Sequence, residues 1–430
     1  MTVNPPELPS VSGPMTGHDA VQSAPRENRL IADLMRGSVM TTVLAIVLSM
    51  VIGGILIAVT NEEVQRTAGY FFAQPMDMLA AVWNSVSGAY AALFRGAIFN
   101  FDAPNFVRAI KPLTDTLNFA TPLIAAGLGV GLAFRVGLFN IGGRGQMLMG
   151  AAAAGFVAYF VEAPLFIHLP LTIIAGMLGG LVWGGIVGLF KARTGAHEVI
   201  MTIMLNFIAY YFVSWLLSTP GLLMRPGGTQ PISQATPPSA QFPKLFEAPL
   251  NVNWGFIVAI GATVFVWWLI ERSSLGFRMR AVGANPFAAR AAGVNVERIL
   301  IYAMAFAGAL AGLAGVNQMA GTITSGFASH IDAGIGFDAI TVALLGRSRA
   351  WGVFAAGILF GALKAGSFTM QISEGIPVDI VLVVQALIVL FIAAPPLIRA
   401  IFFLPKDEAE RSQAASRKAN RQAAKKAVAA

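Results

Sequence analysis

The stretch VMTTVLAIVLSMVIGGILIAVT, residues 39–60, contains no charged residue. A helix that crosses the hydrocarbon core of a bilayer needs about 20 predominantly apolar residues, so this stretch predicts a transmembrane helix. Similar runs recur along the chain and predict an all-α polytopic membrane protein with about ten transmembrane helices. The ten runs are 39–60, 117–137, 146–163, 168–190, 199–218, 253–271, 299–318, 333–346, 351–368 and 379–403.

The overall composition supports the same class. Of the 430 residues, 56% are hydrophobic and only 12% are charged, whereas a soluble protein exposes more polar surface. The 45 glycines suit close helix packing in lipid. The absence of cysteine excludes disulfides and thiolate nucleophiles. A net charge of +8 agrees with basic cytoplasmic loops and does not require nucleic acid as a partner.

The basic residues predict the orientation in the membrane. Three arginines precede the first run, five lie in 271–298, and seven Lys/Arg lie in 406–430. With ten segments all three stretches fall on one side, which the positive-inside rule makes the cytoplasm. We therefore expect both termini in the cytoplasm. The predicted parts are a disordered tail at 1–38, a transmembrane domain at 39–403, extracytoplasmic segments at 61–115 and 219–252, a cytoplasmic loop at 271–298, and a basic tail at 404–430.

Two stretches depart from simple spans. The run 333–346 is short, which predicts a broken or partly re-entrant segment. The stretch 76–100 is mildly apolar and is an alternative eleventh span. Its polar residues, Arg95 among them, favour amphipathic helices on the outer surface instead.

A glycine-rich break separates two apolar runs at LFNIGGRGQMLMG, residues 138–150. Irregular backbone at membrane depth is tolerated where it lines a cavity or is buried in protein. Asn140 and Gln146 would there offer donors and acceptors to a polar solute. The alternative is a turn near the cytoplasmic face, with Arg144 at the lipid headgroups. Both interpretations remain open at this point.

Other polar side chains lie within or beside apolar runs. Asn206 is in the middle of one run, where an asparagine either bonds a neighbouring helix or lines a path. Charged residues at membrane depth are functional candidates, and Asp338 has Lys364 as a possible partner. The aromatic residues between Phe207 and Trp215 would either stack a base or pack as an interfacial belt. The candidate pathway residues are Asn140, Arg144, Gln146, Asn206, Asn317, Gln318 and Asp338.

The segment GANPFAARAAGV, residues 283–294, predicts a short capped helix within the basic loop. Asn285 suits an N-cap and Pro286 the first helical position, and Gly293 suits a left-handed residue that ends the helix. Its small side chains would let the backbone of a soluble partner approach closely, although an ordinary loop helix is the alternative. The candidate docking residues are Gly283, Asn285, Pro286, Ala288, Ala289 and Gly293.

Motifs for covalent chemistry are missing from the sequence. No Gly-Lys dipeptide occurs, which excludes the usual phosphate-binding loop, and no HExxH motif is present. The four histidines are scattered along the chain. We therefore expect a chain that is not an enzyme and that itself binds no metal or cofactor.

Five stretches in order resemble permease subunits of ATP-binding-cassette importers from the branched-chain amino acid, ribose and nucleoside permease superfamily, and most closely its nucleoside permeases. They are GLAFRVGLFNIGGRGQMLMGA (131–151), HEVIMTIMLNFIAYY (197–211), GANPFAARAAGVNVERI (283–299), AGALAGLAGV (307–316) and GFDAITVALLGRSRAWGVFAAGILFGALKAG (336–366).

This resemblance implies a multi-pass protein of the bacterial plasma (inner) membrane that imports nucleosides. It implies a second permease subunit, often a different chain, and cytoplasmic ABC ATPases that bind ATP and Mg²⁺. It also implies an extracytoplasmic solute-binding lipoprotein, and it makes 283–294 the ATPase-coupling helix. The family more often has an acid at the position of Arg144. The alternatives are a permease for ribose or another sugar, or a stand-alone secondary transporter or channel.

Overall fold

The computed structural model describes residues 38–402. The predicted N-terminal tail and the basic C-terminal tail therefore lie almost wholly outside the described residues. The chain divides into two units, one of which is formed by residues 45–395. The described part of the other unit consists of 38–44, at the start of the first helix, and 396–402.

The described residues form helices joined by loops, with two isolated β-bridges and no β-strand. A π-helix at Gln318–Thr322 extends the α-helix Val296–Asn317. The α-helices are α1 Ser38–Thr60, α2 Glu62–Ala68, α3 Pro75–Ala97, α4 Phe106–Arg135, α5 Gly143–Phe160, α6 Leu165–Thr194, α7 Glu198–Ser218, α8 Trp254–Arg272, α9 Ser274–Ala284, α10 Pro286–Ala291, α11 Val296–Asn317, α12 Ile335–Leu345, α13 Ala350–Glu374, α14 Val378–Ala393 and α15 Pro395–Ile401.

The predicted all-helical membrane class is confirmed. Within the described residues, seven helices are long and apolar enough to cross a membrane. They are α1, α4, α6, α7, α8, α11 and α13. The remaining predicted runs coincide with α5, α12 and α14, so the number of ten spans stays a prediction. The 11 residues of α12 extend only about 16 Å, roughly half of a bilayer core.

The mildly apolar stretch 76–100 forms α3, which is not among the seven candidate spans. The hydroxyl of Tyr90 donates to the carbonyl of Met50 in α1, and Gly96 packs closely against Thr369 and Gly366 of α13. The helix therefore packs against α1 and α13. Its location on the outer surface stays a prediction.

Burial is unequal among the spans. α4 and α11 are the most buried, because their small and aliphatic side chains pack against several neighbours. α6, α7 and α8 leave most of their apolar surface exposed in the isolated chain. Lipid or partner chains must cover these faces, because large exposed apolar surfaces are unstable in water.

Glycines bring α6 and α11 into close backbone contact. Gly176, Gly180 and Gly184 recur every fourth residue on α6 and face Gly308 and Gly312 on α11. A Cβ atom on any of these three α6 glycines would lie well inside van der Waals contact with α11. Helices in lipid associate largely through such close backbone packing, so this contact positions α11 at the centre of the bundle.

We expect Gly184→Val to destabilise the protein, because the new side chain would overlap the carbonyl oxygen of Met304. Such overpacking costs about 1–3 kcal/mol. The neighbouring Gly185→Val is the matched control, since the nearest atom to its Cβ is Ala305 Cβ at 3.9 Å. Melting of detergent-solubilised protein measures the effect. Equal melting temperatures for the two variants would contradict the contact.

Candidate functional site

The helix α5 begins within the depth of the bundle. The segment that follows α4 runs alongside α7 and reaches the level of Asn206. Asn206 lies eight positions after Glu198, the first residue of α7. Asn206 Oδ1 accepts from the amide of Gly145 at 2.8 Å, and its Nδ2 donates to the carbonyl of Ile141 at 3.0 Å. Eight helical residues rise about 12 Å. The glycine-rich break therefore lies inside the span of α7 and not at its end.

A second helix start meets the first at this depth. A Cβ on Gly143 would lie 2.8 Å from the carbonyl oxygen of Gly336, and a Cβ on Gly336 would overlap the backbone of Arg144. Only glycine permits this approach of α5 and α12. Neither Gly142 nor Gly334, the two N-cap residues, supplies a side-chain cap. Two positive helix-dipole ends thus meet, as they do at the solute sites of many transporters. The amide of Gly145 donates to Asn206, and the amide of Ile335 donates to the carbonyl of Asp332 at 2.8 Å.

Arg144 is held between an acid and an aromatic ring. Its Nε lies 3.3 Å from Asp332 Oδ1, and its guanidinium carbon lies 5.2 Å from the centre of the Tyr210 ring. Asp332 is only 3% exposed and lies in the loop before α12. The guanidinium of Arg144 thus lies beside a carboxyl group that is almost fully buried.

A second charged pair adjoins the first. Lys364 Nζ of α13 donates to the carbonyl of Ala333 at 3.2 Å, next to Asp332. Asp338 of α12 interacts electrostatically with both Lys364 and Asp332. Among the salt bridges of the described residues, none joins Asp338 directly to Lys364. Two formal positive charges, on Arg144 and Lys364, and two formal negative charges, on Asp332 and Asp338, therefore lie beside the break.

Three predicted pathway residues hold the break in place. Asn140 and Gln146, both almost fully buried, bond to each other through Asn140 Nδ2 and Gln146 Oε1 at 3.1 Å. Asn140 Oδ1 also accepts from the amide of Gly142 at 2.9 Å. Asn206 bridges Gly145 and Ile141, as described above. In this conformation these amides satisfy the backbone and one another, and contact with a solute requires a rearrangement.

Asn317 is the last residue of α11, and Gln318 is the first residue of the π-helix that follows it. Gln318 Nε2 donates to the carbonyl of Ile331 at 3.3 Å and so positions the loop that carries Asp332. Asn317 is buried, and neither of its amide atoms has a partner among the described residues. It lies against Gly255, close to Asn253, whose Nδ2 donates to Asn118 Oδ1 at 3.2 Å. A buried amide without a partner is rare and marks a position that a ligand, a water molecule or a second conformation can satisfy.

Sequence reasoning missed several residues that the structure places beside Arg144 or beside Asn317. Asp332 carries no motif and lies 188 positions from Arg144, and only the unusual cation at 144 signalled that an acid should be near. Tyr210 belongs to an aromatic run whose members look alike in sequence. Asn118 and Asn253 come from separate segments that only the fold brings together.

The predicted capped helix in the basic loop has the expected local geometry. Asn285 accepts from the amides of Phe287 and Ala288 at 2.9 and 3.1 Å, and Pro286 occupies the first position of α10. Gly293 has φ +82°, which suits glycine and ends the helix.

Not all of the predicted docking residues are exposed. Ala289 is only 4% exposed, so it packs against its own chain and not against a partner. A Cβ on Gly283 would overlap the carbonyl of Arg135 at the end of α4, so this glycine joins the loop to the bundle. The exposed surface of α10 includes Ala288 and Phe287, whose side chain is 82% exposed. Phe287 was not among the predicted docking residues.

Comparison with known proteins gives a family match and several relatives. The family model described as "Branched-chain amino acid transport system / permease component" matches residues 113–393. The guanosine ABC transporter permease protein NupP of Bacillus subtilis is 39% identical over 74% of this chain and 88% of its own length. The glucose ABC transporter permease protein TsgB13 of Haloferax volcanii is 37% identical over 65% of this chain and 75% of its own. The nucleoside ABC transporter permease protein NupB of Lactococcus lactis is 35% identical over 79% of this chain and 92% of its own length. No solved structure matches the chain.

We expect Arg144→Met to lower stability and transport, because Asp332 would be left buried without its cation. Loss of one partner of a partly buried pair costs about 2 kcal/mol or more. Melting temperature and solute uptake both measure the effect.

The double variant Arg144→Met/Asp332→Asn is the matched control, since it removes both charges. We expect it to regain a large part of the lost stability, which gives a favourable coupling in a double-mutant cycle. Additive losses in the double variant would show that the two side chains do not interact.

Proposed function

Because this chain belongs to the family of permease components of branched-chain amino acid transport systems, we propose that it forms the membrane path for nucleosides in an ABC importer. It is a multi-pass transport subunit and not an enzyme. The observation that carries the substrate class is the 39% identity with a guanosine permease over 88% of that protein. We further propose the bacterial inner membrane as its location, with both termini in the cytoplasm.

The break between α5 and α12 supports an uncharged, hydrogen-bonding solute. Two cations, Arg144 and Lys364, are balanced by two acids, Asp332 and Asp338, so a neutral solute meets no net charge. A nucleoside loses water from its base edge and its ribose hydroxyls on entry. The side chains of Arg144 and Lys364 supply donors and the two carboxylates supply acceptors in exchange.

The amide cluster at the outer end of the bundle supports a second part of the path. The unpaired amide of Asn317 offers one donor pair and one acceptor, and Asn253 and Asn118 lie nearby. We propose that a solute reaches Asn317 before it reaches Arg144. In this proposal Asn140, Gln146 and Asn206 exchange their present bonds during transport.

A sugar is the second candidate solute. A glucose permease is 37% identical to this chain, and a sugar is also neutral and rich in hydroxyls. The charges beside the break therefore do not show whether the solute is a nucleoside or a sugar. A base differs from a sugar in its aromatic face, which Tyr210 or Phe207 of α7 would stack.

We expect cells that carry this gene to take up labelled guanosine, and excess adenosine or uridine to compete for that uptake. Excess glucose and ribose serve as matched competitors that lack a base, and they should leave uptake unchanged. Competition by the sugars alone would assign the chain to sugar transport. Uptake that persists without an intact ATPase gene but collapses with the proton gradient would indicate a secondary transporter.

We propose that α10 is the coupling helix through which a cytoplasmic ATPase, which binds ATP and Mg²⁺, drives the permease. Phe287 supports this proposal, because a ring that is 82% exposed in the isolated chain needs a partner surface. A second permease subunit would cover the exposed faces of the bundle. An extracytoplasmic lipoprotein would deliver the solute to the opposite side.

We expect Phe287→Ala to reduce co-purification of the ATPase and solute uptake by about tenfold or more, since truncation of a buried interface anchor costs at least about 1.4 kcal/mol. Because this ring packs little against its own chain, membrane insertion and melting temperature should not change.

Phe277→Ala is the matched control, because Phe277 is also an exposed ring in the same loop but lies in α9. It should retain both the ATPase and the uptake. A similar loss in both variants would remove the distinction between α10 and the rest of the loop.

A further inference from the structure

A cavity of about 860 Å³ lies where three helix ends meet, away from the break and from the amide cluster. Its walls come from the end of α4, the end of α8 and the start of α13. The orientation predicted from the basic residues places all three ends at the cytoplasmic surface of the membrane. The cavity therefore opens at the depth of the lipid headgroups.

The polar side of the cavity has excess positive charge. Arg135, Arg272 and Arg349 line it, together with a single acid, Glu271. Glu271 already interacts with two arginines, at 3.3 Å from Arg135 and 3.9 Å from Arg280. Neither Arg272 nor Arg349 has an acidic partner within 4 Å in the part of the chain that the structure describes. The cavity thus presents two uncompensated guanidinium groups.

The start of α13 adds further donors for an anion. The N-cap residue of this 25-residue helix is Arg349, which makes no side-chain cap bond. The first backbone bond that closes onto it is from Val353 to the carbonyl of Arg349 at 2.8 Å. The N–H groups of Ala350, Trp351 and Gly352 therefore precede the first bond within the helix, and the helix dipole favours a negative charge there.

The other side of the cavity is apolar and aromatic. Trp267 and Trp351 line it together with Val266 and Leu128, and both indole rings are partly exposed. The guanidinium carbon of Arg272 lies 5.7 Å from the centre of the Trp267 ring. Tryptophan is enriched where apolar chains meet headgroups. A cavity with arginines on one side and tryptophans on the other fits an amphiphilic anion and not a free inorganic one.

We propose that this cavity binds an anionic phospholipid of the cytoplasmic leaflet. The phosphate lies between Arg272, Arg349 and the first turn of α13, and the acyl chains lie along Trp267 and Trp351. Arginine matches phosphate with several donors at once, and anionic lipids are abundant at the surface that this cavity faces. The lipid then holds α8 and α13 together next to the ends that carry the cytoplasmic loop.

Native mass spectrometry of the purified full chain in detergent tests the proposal. The probes are phosphatidylglycerol, phosphatidylcholine and inorganic phosphate, added separately. We expect phosphatidylglycerol to bind about tenfold more tightly than phosphatidylcholine. Arg272→Gln/Arg349→Gln should weaken phosphatidylglycerol binding about twenty-five-fold, since each basic residue near such a lipid contributes about a fivefold effect. Arg278→Gln, which removes an exposed arginine of the same loop outside the cavity, should change nothing.

Three results would overturn the proposal. Equal binding of the two lipids would remove the role of the lipid charge. Phosphate that competes fully with phosphatidylglycerol would show an anion site without a lipid. Full phosphatidylglycerol binding by the double variant would place the lipid elsewhere. If the double variant does not fold, Arg349→Gln alone replaces it. This single variant should bind phosphatidylglycerol about fivefold more weakly, and full binding would overturn the proposal.

Discussion

The structure depends on one constraint: backbone N–H and C=O groups within a bilayer must find partners inside the protein. The chain leaves helical geometry between α4 and α5, where several such groups have no intrahelical partner. The two bonds of Asn206 satisfy one donor and one acceptor there, and Asn140 satisfies another donor. Because these amides stabilise the interruption, α5 can begin within the span of α7, and its positive end can lie close to the start of α12.

Charge at this depth follows from the same arrangement. Two helix starts that meet end to end concentrate positive potential, and Arg144 adds a full cation. Asp332 compensates this cation directly, while Asp338 faces Lys364. The resemblance implied an acid at the position of Arg144. The structure shows how a cation is accommodated there, because the acid that pairs with it, Asp332, lies in the loop before α12 at 3.3 Å.

The membrane class, nearly all helix positions and the capped helix at 286–291 could be predicted from the sequence, because each depends on local pattern. The amphipathic helix α3 and the short α12 were also visible as weak runs. The contacts of Asn206 with Gly145 and of Arg144 with Asp332 were not predictable, since they join residues 61 and 188 positions apart. Burial was equally hidden: Ala288 and Ala289 are identical in sequence, and only the fold distinguishes the exposed residue from the buried one.

The contact of Gly283 with the end of α4 has a mechanical consequence. Because glycine has no side chain, the backbone of the cytoplasmic loop touches the backbone of α4 directly. No flexible side chains lie between the two backbones at Gly283. Arg135, the last residue of α4, also donates from its Nε to the carbonyl of Ser348 at 3.0 Å. The cytoplasmic loop and the turn before α13 therefore both contact the end of α4. The residues that immediately follow α4 lead into the interruption before α5, so the loop touches a helix that continues directly into the irregular backbone.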